Sequence, residues 1–210
     1  MADSLERPYD QPKRVLDIVG ASLALVLLSP VLVGVGVLVA VKLGRPMLFQ
    51  QDRPGKDGKL FRLRKFRSMT NSDPSRGLVS DEDRLTPFGR ALRATSLDEL
   101  PTLMNVLKGD MSIVGPRPLL VQYLSRYSPE QARRHGVRPG ITGLAQASGR
   151  NTLDWEAKFA LDVEYVENRS LRLDLQILAM TVRSVLRRHG ISAEGHSTAH
   201  EFLGSAGSQQ

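Results

Sequence analysis

Two adjacent carboxylates, Asp98 and Glu99, are candidates for catalysis, because carboxylates can act as nucleophiles or bind a metal ion. They follow Ser96, which has capping-box spacing to Glu99, and they precede an apolar run that ends near Gly109. The helix starts either at Ser96 or nearer to Pro101, and in both cases its dipole favours ionised carboxylates in the first turn. The pair therefore has two interpretations: helix capping alone, which the motif form favours, or a nucleophilic and metal-binding carboxylate.

Two arginines accompany the carboxylate pair and argue for the second interpretation. Arg93 lies upstream of Asp98, and Arg117 stands between Pro116 and Pro118. Prolines on both sides stiffen the backbone, so the Arg117 guanidinium has a fixed direction, as bidentate phosphate recognition requires. The alternative for this Pro-Arg-Pro segment is a plain surface turn.

A glycine-rich turn is predicted at residues 138–143, which read Arg-Pro-Gly-Ile-Thr-Gly. Such a turn can bring backbone amides close to a phosphate or a base. The turn lacks the spacing of a P-loop or a dinucleotide-binding fingerprint, so by itself it is weak evidence for a nucleotide site.

An uncharged apolar segment at residues 18–41 indicates contact with a membrane. At about 1.5 Å per residue it is long enough to cross a hydrocarbon core of about 30 Å. Ser29-Pro30 interrupts the segment, because proline removes a backbone donor and disfavours a helical conformation in the residue before it. Two topologies remain open: a kinked spanning helix, or a re-entrant helix-break-helix with both ends on the cytoplasmic side.

The net charge of +7 is concentrated beside this apolar segment. Residues 42–70 hold nine basic and two acidic residues and so carry the whole excess, while Lys13 and Arg14 precede the segment. Positive flanks on both sides favour the re-entrant form, and a concentrated block favours anionic lipid or anionic substrates as partners. The absence of Cys excludes a disulfide scaffold and Cys-ligated metal sites.

The remaining pattern predicts a mainly helical chain with a small β-hairpin. Strands are expected at residues 47–51 and 60–66, followed by a polar loop at residues 68–84 that is long enough to be a lid. Helices are expected from four further signals: caps at Thr86-Pro87 and Ser128-Pro129, and helical patterns at residues 152–168 and 170–188.

Several ordered motifs together resemble the monotopic phosphoglycosyl transferases, also called bacterial sugar transferases. The motifs are Lys-Arg-Val-Leu-Asp at 13–17, Ser29-Pro30, Lys-Phe-Arg-Ser-Met at 65–69, Thr-Ser-Leu-Asp-Glu-Leu-Pro at 95–101, Gly-Asp-Met-Ser at 109–112, Val-Gly-Pro-Arg-Pro at 114–118 and Val-Arg-Pro-Gly-Ile-Thr-Gly at 137–143. The resemblance covers about residues 13–204 and is to the small stand-alone branch, which includes the diacetylbacillosamine-phosphate transferases.

The resemblance implies an organisation in four parts. These are an N-terminal tail at residues 1–12, a re-entrant membrane helix-break-helix at 13–43, a membrane-associated, mainly helical cytoplasmic catalytic domain at 44–204 with a mobile loop at 68–84, and a C-terminal tail at 205–210. The family's re-entrant helix places its break at Ser29-Pro30. The expected location is the cytoplasmic face of the bacterial inner membrane, in contact with membrane lipid.

The resemblance also implies a reaction. A UDP-sugar donates its sugar 1-phosphate to undecaprenyl phosphate, a polyprenyl phosphate, with release of UMP. Family members need Mg2+ and use a ping-pong mechanism, in which Asp98 would attack the β-phosphate and form an aspartyl phosphosugar that the lipid phosphate then attacks. Asp98 and Glu99 would also hold the metal.

Further residues receive expected roles from the resemblance and from charge. Arg93 and Arg117, together with the metal cation, would neutralise the diphosphate. Lys65, Arg67 and Arg138 are expected to contact phosphate, and Thr142 and Gln146 the nucleotide. One departure from the family is Arg169, which stands where aromatic residues are common and could replace aromatic anchoring by attraction to anionic lipid.

Two other functions remain open on the sequence. A membrane-tethered nucleic-acid-binding or scaffold protein would suit the basic block, but the low aromatic content and the lack of a nucleic-acid-binding motif argue against a nucleic-acid partner. A glycosyl transferase that leaves the diphosphate on the nucleotide would release UDP instead of UMP.

Overall fold

The chain begins with two helices that meet at a sharp bend. In this computed structural model, which describes residues 7–149, 153–187 and 201–204, α1 is Asp10–Leu27 and α2 is Ser29–Leu43. The pair is bent by 65°. Within the described ranges no single helix is long and apolar enough to cross a membrane, whereas the bent pair together passes that test by length and composition.

The bend lies at Ser29-Pro30, and this prediction is confirmed. Pro30 occupies the first turn of α2, where a missing backbone N–H is tolerated. Ser29 Oγ donates to the Val26 carbonyl at 2.8 Å, which satisfies one of the last carbonyls of α1. Both residues of the Ser29-Pro30 pair therefore contribute to the break.

The predicted hairpin is also confirmed. β1 (Leu48–Pro54) and β2 (Leu60–Phe66) pair antiparallel, with the first residue of β1 opposite the last residue of β2. The observed β1 is longer than the predicted strand, because it continues through Arg53 to the Pro-Gly turn.

A second, parallel strand pair was not predicted. β3 (Ser112–Val114) pairs with β4 (Gly140–Thr142), so the prediction of a turn was wrong for residues 140–142. The two strands approach so closely that a Cβ on Gly140 would lie 2.1 Å from the Gly115 nitrogen. Glycine is needed for this close contact between backbones.

The next five helices are short, and two longer helices follow them in the described residues. They are α3 (Asp81–Arg84), α4 (Pro87–Ala94), α5 (Leu103–Lys108), α6 (Pro129–Ala132), α7 (Leu144–Ser148), α8 (Trp155–Asn168) and α9 (Leu171–Arg187). Single 3-10 segments lie at Lys56–Gly58, Pro74–Arg76, Leu97–Thr102, Val121–Arg126 and Arg133–Gly136. The predicted mainly helical fold is confirmed.

Residues 68–84 are more ordered than the predicted polar loop. They contain one 3-10 turn and α3, whose start is a capping box between Ser80 and Asp83. Bridges between Met69 and Leu85 and between Asp73 and Leu78 tie the segment to itself and to the chain that follows. The predicted loop therefore contains short regular elements, because local Asp and Ser side chains supply caps, and its mobility stays a prediction.

Helices α1 and α2 each bury one side against the rest of the protein. Ala21 of α1 is buried with Leu63 and Val106, and Val39 of α2 is buried with Phe66. Large apolar side chains on the other sides of both helices are exposed, among them Val19, Leu23, Val26, Val33, Val37 and Val41.

Polar side chains join the start of α1 to the C-terminal helices. Lys13 Nζ donates to Asp174 at 2.5 Å, and Arg169 binds both carboxylate oxygens of Asp10 at 2.6 and 2.8 Å. Arg14 donates to the last carbonyls of α5. The expectation that Arg169 attracts lipid was wrong, because its side chain is buried on this internal partner.

Candidate active site

Strand β2 is held against the 3-10 segment Leu97–Thr102, which carries both candidate carboxylates. The Thr102 hydroxyl and the Asn105 amide bond the backbone of β2 at distances of 2.8, 3.1 and 3.2 Å. These bonds satisfy an edge of the hairpin beside which the described residues form no further strand. The arrangement brings Lys65 of β2 next to the carboxylates.

Glu99 links two cations at the centre of the site. Its Oε1 accepts hydrogen bonds from Lys65 Nζ and from Arg117 Nη2, the latter at 3.4 Å. Burial would raise the pKa of Glu99, but Lys65 and Arg117 together lower it to about 2. Burial lowers the pKa of Lys65, and the Glu99 carboxylate opposes this effect. Glu99 therefore remains an anion that orients both cations.

The predicted capping box at Ser96 does not form. Ser96 adopts a left-handed conformation with φ of +57° and makes no side-chain hydrogen bond to the helix end. The Glu99 side chain bonds cations instead of the backbone, and Pro101 has no N–H to continue a regular helix. Residues Leu97–Thr102 form a 3-10 turn, and α5 starts after Pro101, the later of the two alternatives.

Asp98 is buried among charged side chains. Its exposure is 8%, and no described residue hydrogen-bonds its carboxylate. Burial and the adjacent Glu99 anion raise its pKa to about 6, although Lys65, Arg93 and Arg117 act in the opposite direction. The expected effect of a helix dipole, which would favour the ionised form of Asp98, is outweighed by burial at this short 3-10 segment.

Arg93 joins the site through a close approach of α4. Its Nε donates to Ser68 Oγ at 2.9 Å. A Cβ on Gly89 would lie 1.8 Å from the Ser68 carbonyl oxygen, so only glycine lets α4 come this near. Burial lowers the pKa of Arg93, and the Asp98 carboxylate opposes this effect.

The arginines at 67 and 138 contact the chain's own backbone. Arg67 is buried and donates to the Leu43 and Pro46 carbonyls at 3.1 and 3.0 Å, which fixes the connection from α2 to β1. Arg138 Nε donates to the Gly109 carbonyl at 2.8 Å. Contact with phosphate stays a prediction for both residues.

The two candidate nucleotide contacts lie at β4 and α7. The Thr142 hydroxyl shares a hydrogen bond of 2.7 Å with the hydroxyl of Thr181 in α9. Gln146 Nε2 donates to the Ile141 carbonyl at 3.3 Å, and its buried Oε1 finds no partner in the described part of the chain. Nucleotide contact stays a prediction for both residues.

Sequence reasoning overlooked Arg53 as a site residue. Its guanidinium donates to Gln51 Oε1 at 2.6 Å and reaches the Pro118 carbonyl at 3.5 Å. Burial and the proximity of Arg117 lower the pKa of Arg53 to about 10. The only signal in the sequence was a cation directly before a Pro-Gly turn, and it was counted as part of the basic block.

The two carboxylates are chemically suitable ligands for a Mg2+ ion. Within the described residues no cluster of three or more acidic or His side chains could hold a metal. Mg2+, however, is often held by one or two carboxylates together with substrate phosphates. The Asp98 carboxylate, which has no hydrogen bond to the described residues, and the second oxygen of Glu99 are suitable donors.

Comparisons with known proteins identify the family of this chain. A family model described as "Bacterial sugar transferase" matches residues 9–188. An uncharacterized sugar transferase, EpsL, of Bacillus subtilis (strain 168) is 53% identical over 194 residues, which cover 92% of this chain and 96% of EpsL. The chain belongs to the bacterial sugar transferase family.

Two further relatives have more specific names. A UDP-glucose:undecaprenyl-phosphate glucose-1-phosphate transferase of Caulobacter vibrioides is 41% identical over 84% of this chain and 70% of that protein. An undecaprenyl-phosphate galactose phosphotransferase of Salmonella typhimurium is 41% identical over 85% of this chain but only 41% of that protein. The chain thus matches less than half the length of the Salmonella relative.

Proposed function

We propose that this protein transfers a sugar 1-phosphate from a UDP-sugar to undecaprenyl phosphate and releases UMP. The observation that carries the proposal is the pairing of two adjacent carboxylates with different constraints: Glu99 bonds two cations, whereas Asp98 has no hydrogen bond to the described residues. The names of the Caulobacter and Salmonella relatives support the class of reaction.

Asp98 is the nucleophile in this proposal. Its carboxylate oxygen attacks the β-phosphorus, the bond from that phosphorus to the bridging oxygen breaks, and UMP leaves with the bridging oxygen. A phosphate oxygen of the lipid then attacks the same phosphorus and releases the Asp98 carboxylate. A carboxylate with its pKa raised to about 6 is ionised at neutral pH and is less solvated than one in water, which favours attack.

The surrounding cations stabilise the charge that moves during both steps. Lys65 and Arg117 bond Glu99 in the unliganded protein, and Arg93 lies beside Asp98, so three donors are in place before substrate arrives. A Mg2+ ion held by Asp98 and Glu99 would supply further neutralisation of the diphosphate.

In this proposal the reaction takes place at a membrane, and the bent helix pair supports this location. A re-entrant α1–α2 pair, with its break at Ser29-Pro30, would bury exposed apolar faces in the cytoplasmic leaflet of the bacterial inner membrane. Exposed Leu171, Leu175 and Val182 of α9 would add apolar contact with the same lipid surface.

Nucleotide release tests the proposal. Purified protein should release UMP from at least one of a panel of UDP-sugars, and turnover should require undecaprenyl phosphate and Mg2+; the Asp98→Asn variant should release none. Release of UDP would indicate glycosyl transfer instead. No nucleotide release, combined with salt-dependent RNA binding, would support the nucleic-acid-binding alternative.

A further inference from the structure

A buried ion pair lies outside the carboxylate site, between Arg134 and Asp162 of α8. Arg134 Nε and Nη2 donate to Asp162 Oδ2 at 3.0 and 2.6 Å, and the side chains are only 2% and 5% exposed. Asp162 Oδ1 is buried with no partner among the described residues. Because burying such a pair costs about as much as it returns, stability alone does not account for it.

Aromatic rings enclose the Arg134 guanidinium. It lies 5.7 Å from the Tyr127 ring centroid and 5.6 Å from that of Phe159. Phe202, in the C-terminal segment 201–204, is 1% exposed and packs on both rings, at 5.9 and 4.9 Å. These three rings and the Asp162 carboxylate leave the guanidinium little freedom to move.

Arg134 also donates to the Tyr127 hydroxyl at 3.4 Å, and a further hydrogen bond leads to the site. Arg134 Nη2 donates to the backbone carbonyl of Arg117 at 2.7 Å. The side chain of that same residue reaches Glu99. Pro116 and Pro118 stiffen the backbone on either side, so holding the carbonyl also fixes the starting point of the Arg117 side chain.

We propose that Arg134, fixed by Asp162, is a positioning residue for Arg117. It holds the Pro-Arg-Pro backbone where the Arg117 guanidinium meets Glu99 and the diphosphate of the substrate. The effect on catalysis rests on the proposed function, whereas the positioning of the backbone does not.

Two conservative variants and a matched control test the role. Asp162→Asn removes the counter-ion, and Arg134→Lys keeps the charge but loses the planar fork that bonds Asp162 and the carbonyl together. Glu167→Gln is the control, because Glu167 of α8 pairs with the neighbouring Arg133 at the exposed surface, without contact to Arg117. Folding of each variant is checked by thermal melting and gel filtration.

The decisive measurement is a double-mutant cycle with Arg117→Ala. Asp162→Asn and Arg134→Lys should each lower the rate of UMP release roughly tenfold, as expected when a group at the transition state is slightly displaced. In the Arg117→Ala background each should have less than about a twofold further effect, because they act through a side chain that is already absent. A purely structural role predicts equal loss of thermal stability in both backgrounds and no such coupling.

Unchanged rates in the single variants, or effects that multiply in the double variants, would overturn the proposal. If Asp162→Asn does not fold, the measurements on Arg134→Lys alone decide.

Hydrogen exchange supplies a readout that needs no activity. Both variants should exchange faster in peptides that cover residues 114–119, whereas Glu167→Gln should exchange like the wild type. Unchanged exchange there would also overturn the proposal. If the wild type releases no UMP but exchange rises as expected, the positioning role stands and the proposed reaction fails.

Discussion

Asp98 and Glu99 are adjacent in sequence, yet their environments move their pKa values in opposite directions. Two cations hold Glu99 in its ionised form, whereas burial and the Glu99 charge raise the pKa of Asp98 to about 6. When the environment moves the pKa values of two neighbouring carboxylates apart, the two groups can take different roles. In the proposed reaction Glu99 orients donors, and Asp98 is available for attack.

The pKa of Asp98 predicts the pH dependence of the reaction. Since the nucleophile must be ionised, the rate of UMP release should be constant above about pH 7 and fall as the pH decreases through about 6. A rate profile of the first half-reaction between pH 5 and 8 measures this, with circular dichroism to confirm that the fold persists. A flat profile over that range would contradict the assignment.

The same two carboxylates predict opposite effects on stability. The folded protein binds the Asp98 proton more tightly than the unfolded chain does. The stabilisation of the folded protein by protonated Asp98 is therefore fully present below about pH 4 and is lost as the pH rises through about 6. Asp98→Asn should therefore raise the free energy of unfolding at pH 8 by about 1–2 kcal/mol, while abolishing activity. Glu99→Gln, which removes a favoured anion, should lower it. Urea denaturation at pH 8 compares the variants, and a less stable Asp98→Asn protein would be the contrary result.

Among the helices, strands and turns, the sequence predicts those features that depend on contacts between residues near in the chain. The break at Ser29-Pro30, the β1–β2 hairpin and the caps at Thr86 and Ser128 all form, because proline, glycine and hydroxyl side chains act on their own neighbours. The capping box at Ser96 fails because cations distant in sequence attract Glu99. The β3–β4 pair could not be predicted, since parallel pairing depends on contacts between distant segments.

The candidate site also combines residues that local motifs predict with residues whose positions depend on distant contacts. Lys65, Arg93, Asp98, Glu99 and Arg117 are brought together as predicted by their motifs. Arg67 has the same charge as Lys65 and lies close to it in sequence, but it follows the end of β2 and turns to the carbonyls near α2. Only the fold reveals the positions of Arg53 and Arg134, because Pro118 and Asp162, which they contact, lie far along the chain.

The re-entrant topology of α1 and α2 can be tested by labelling. The chain has no Cys, so Gln11→Cys at the start of α1 and Arg45→Cys after the end of α2, both at exposed positions, can be labelled singly in intact cells. Both should be protected from an impermeant thiol reagent until the inner membrane is opened. The Cys-free protein is the control, and labelling of only one variant from outside would show a spanning helix instead.

At the scale of the whole molecule, polar side chains join the first helix to the last two. Asp174 accepts hydrogen bonds from the hydroxyls of Tyr9 and Tyr165 and from Lys13, and Asp10 binds Arg169. The bent pair and the candidate site are thereby held in one frame, because Tyr165 Oη also lies 3.0 Å from the Val114 carbonyl oxygen, just before the Pro-Arg-Pro segment.

Removal of one partner should show how much this frame contributes. Arg169→Ala should lower the free energy of unfolding by about 3 kcal/mol, because it breaks a largely buried pair. Arg133→Ala, which breaks exposed pairs only, should change it by less than about 1 kcal/mol. Denaturation in detergent compares them, and equal losses would show that the buried pair has no special weight.

The central claim is that Asp98 carries the sugar phosphate between donor and acceptor. Its most direct test is the intact mass of the protein after incubation with its UDP-sugar and Mg2+ in the absence of undecaprenyl phosphate. The wild type should gain the mass of one sugar phosphate, lose it when the lipid phosphate is added, and show the modification at Asp98 after digestion, whereas Asp98→Asn should gain nothing. An unmodified wild type that turns over normally once both substrates are present, or an adduct on Asp98→Asn, would contradict the account.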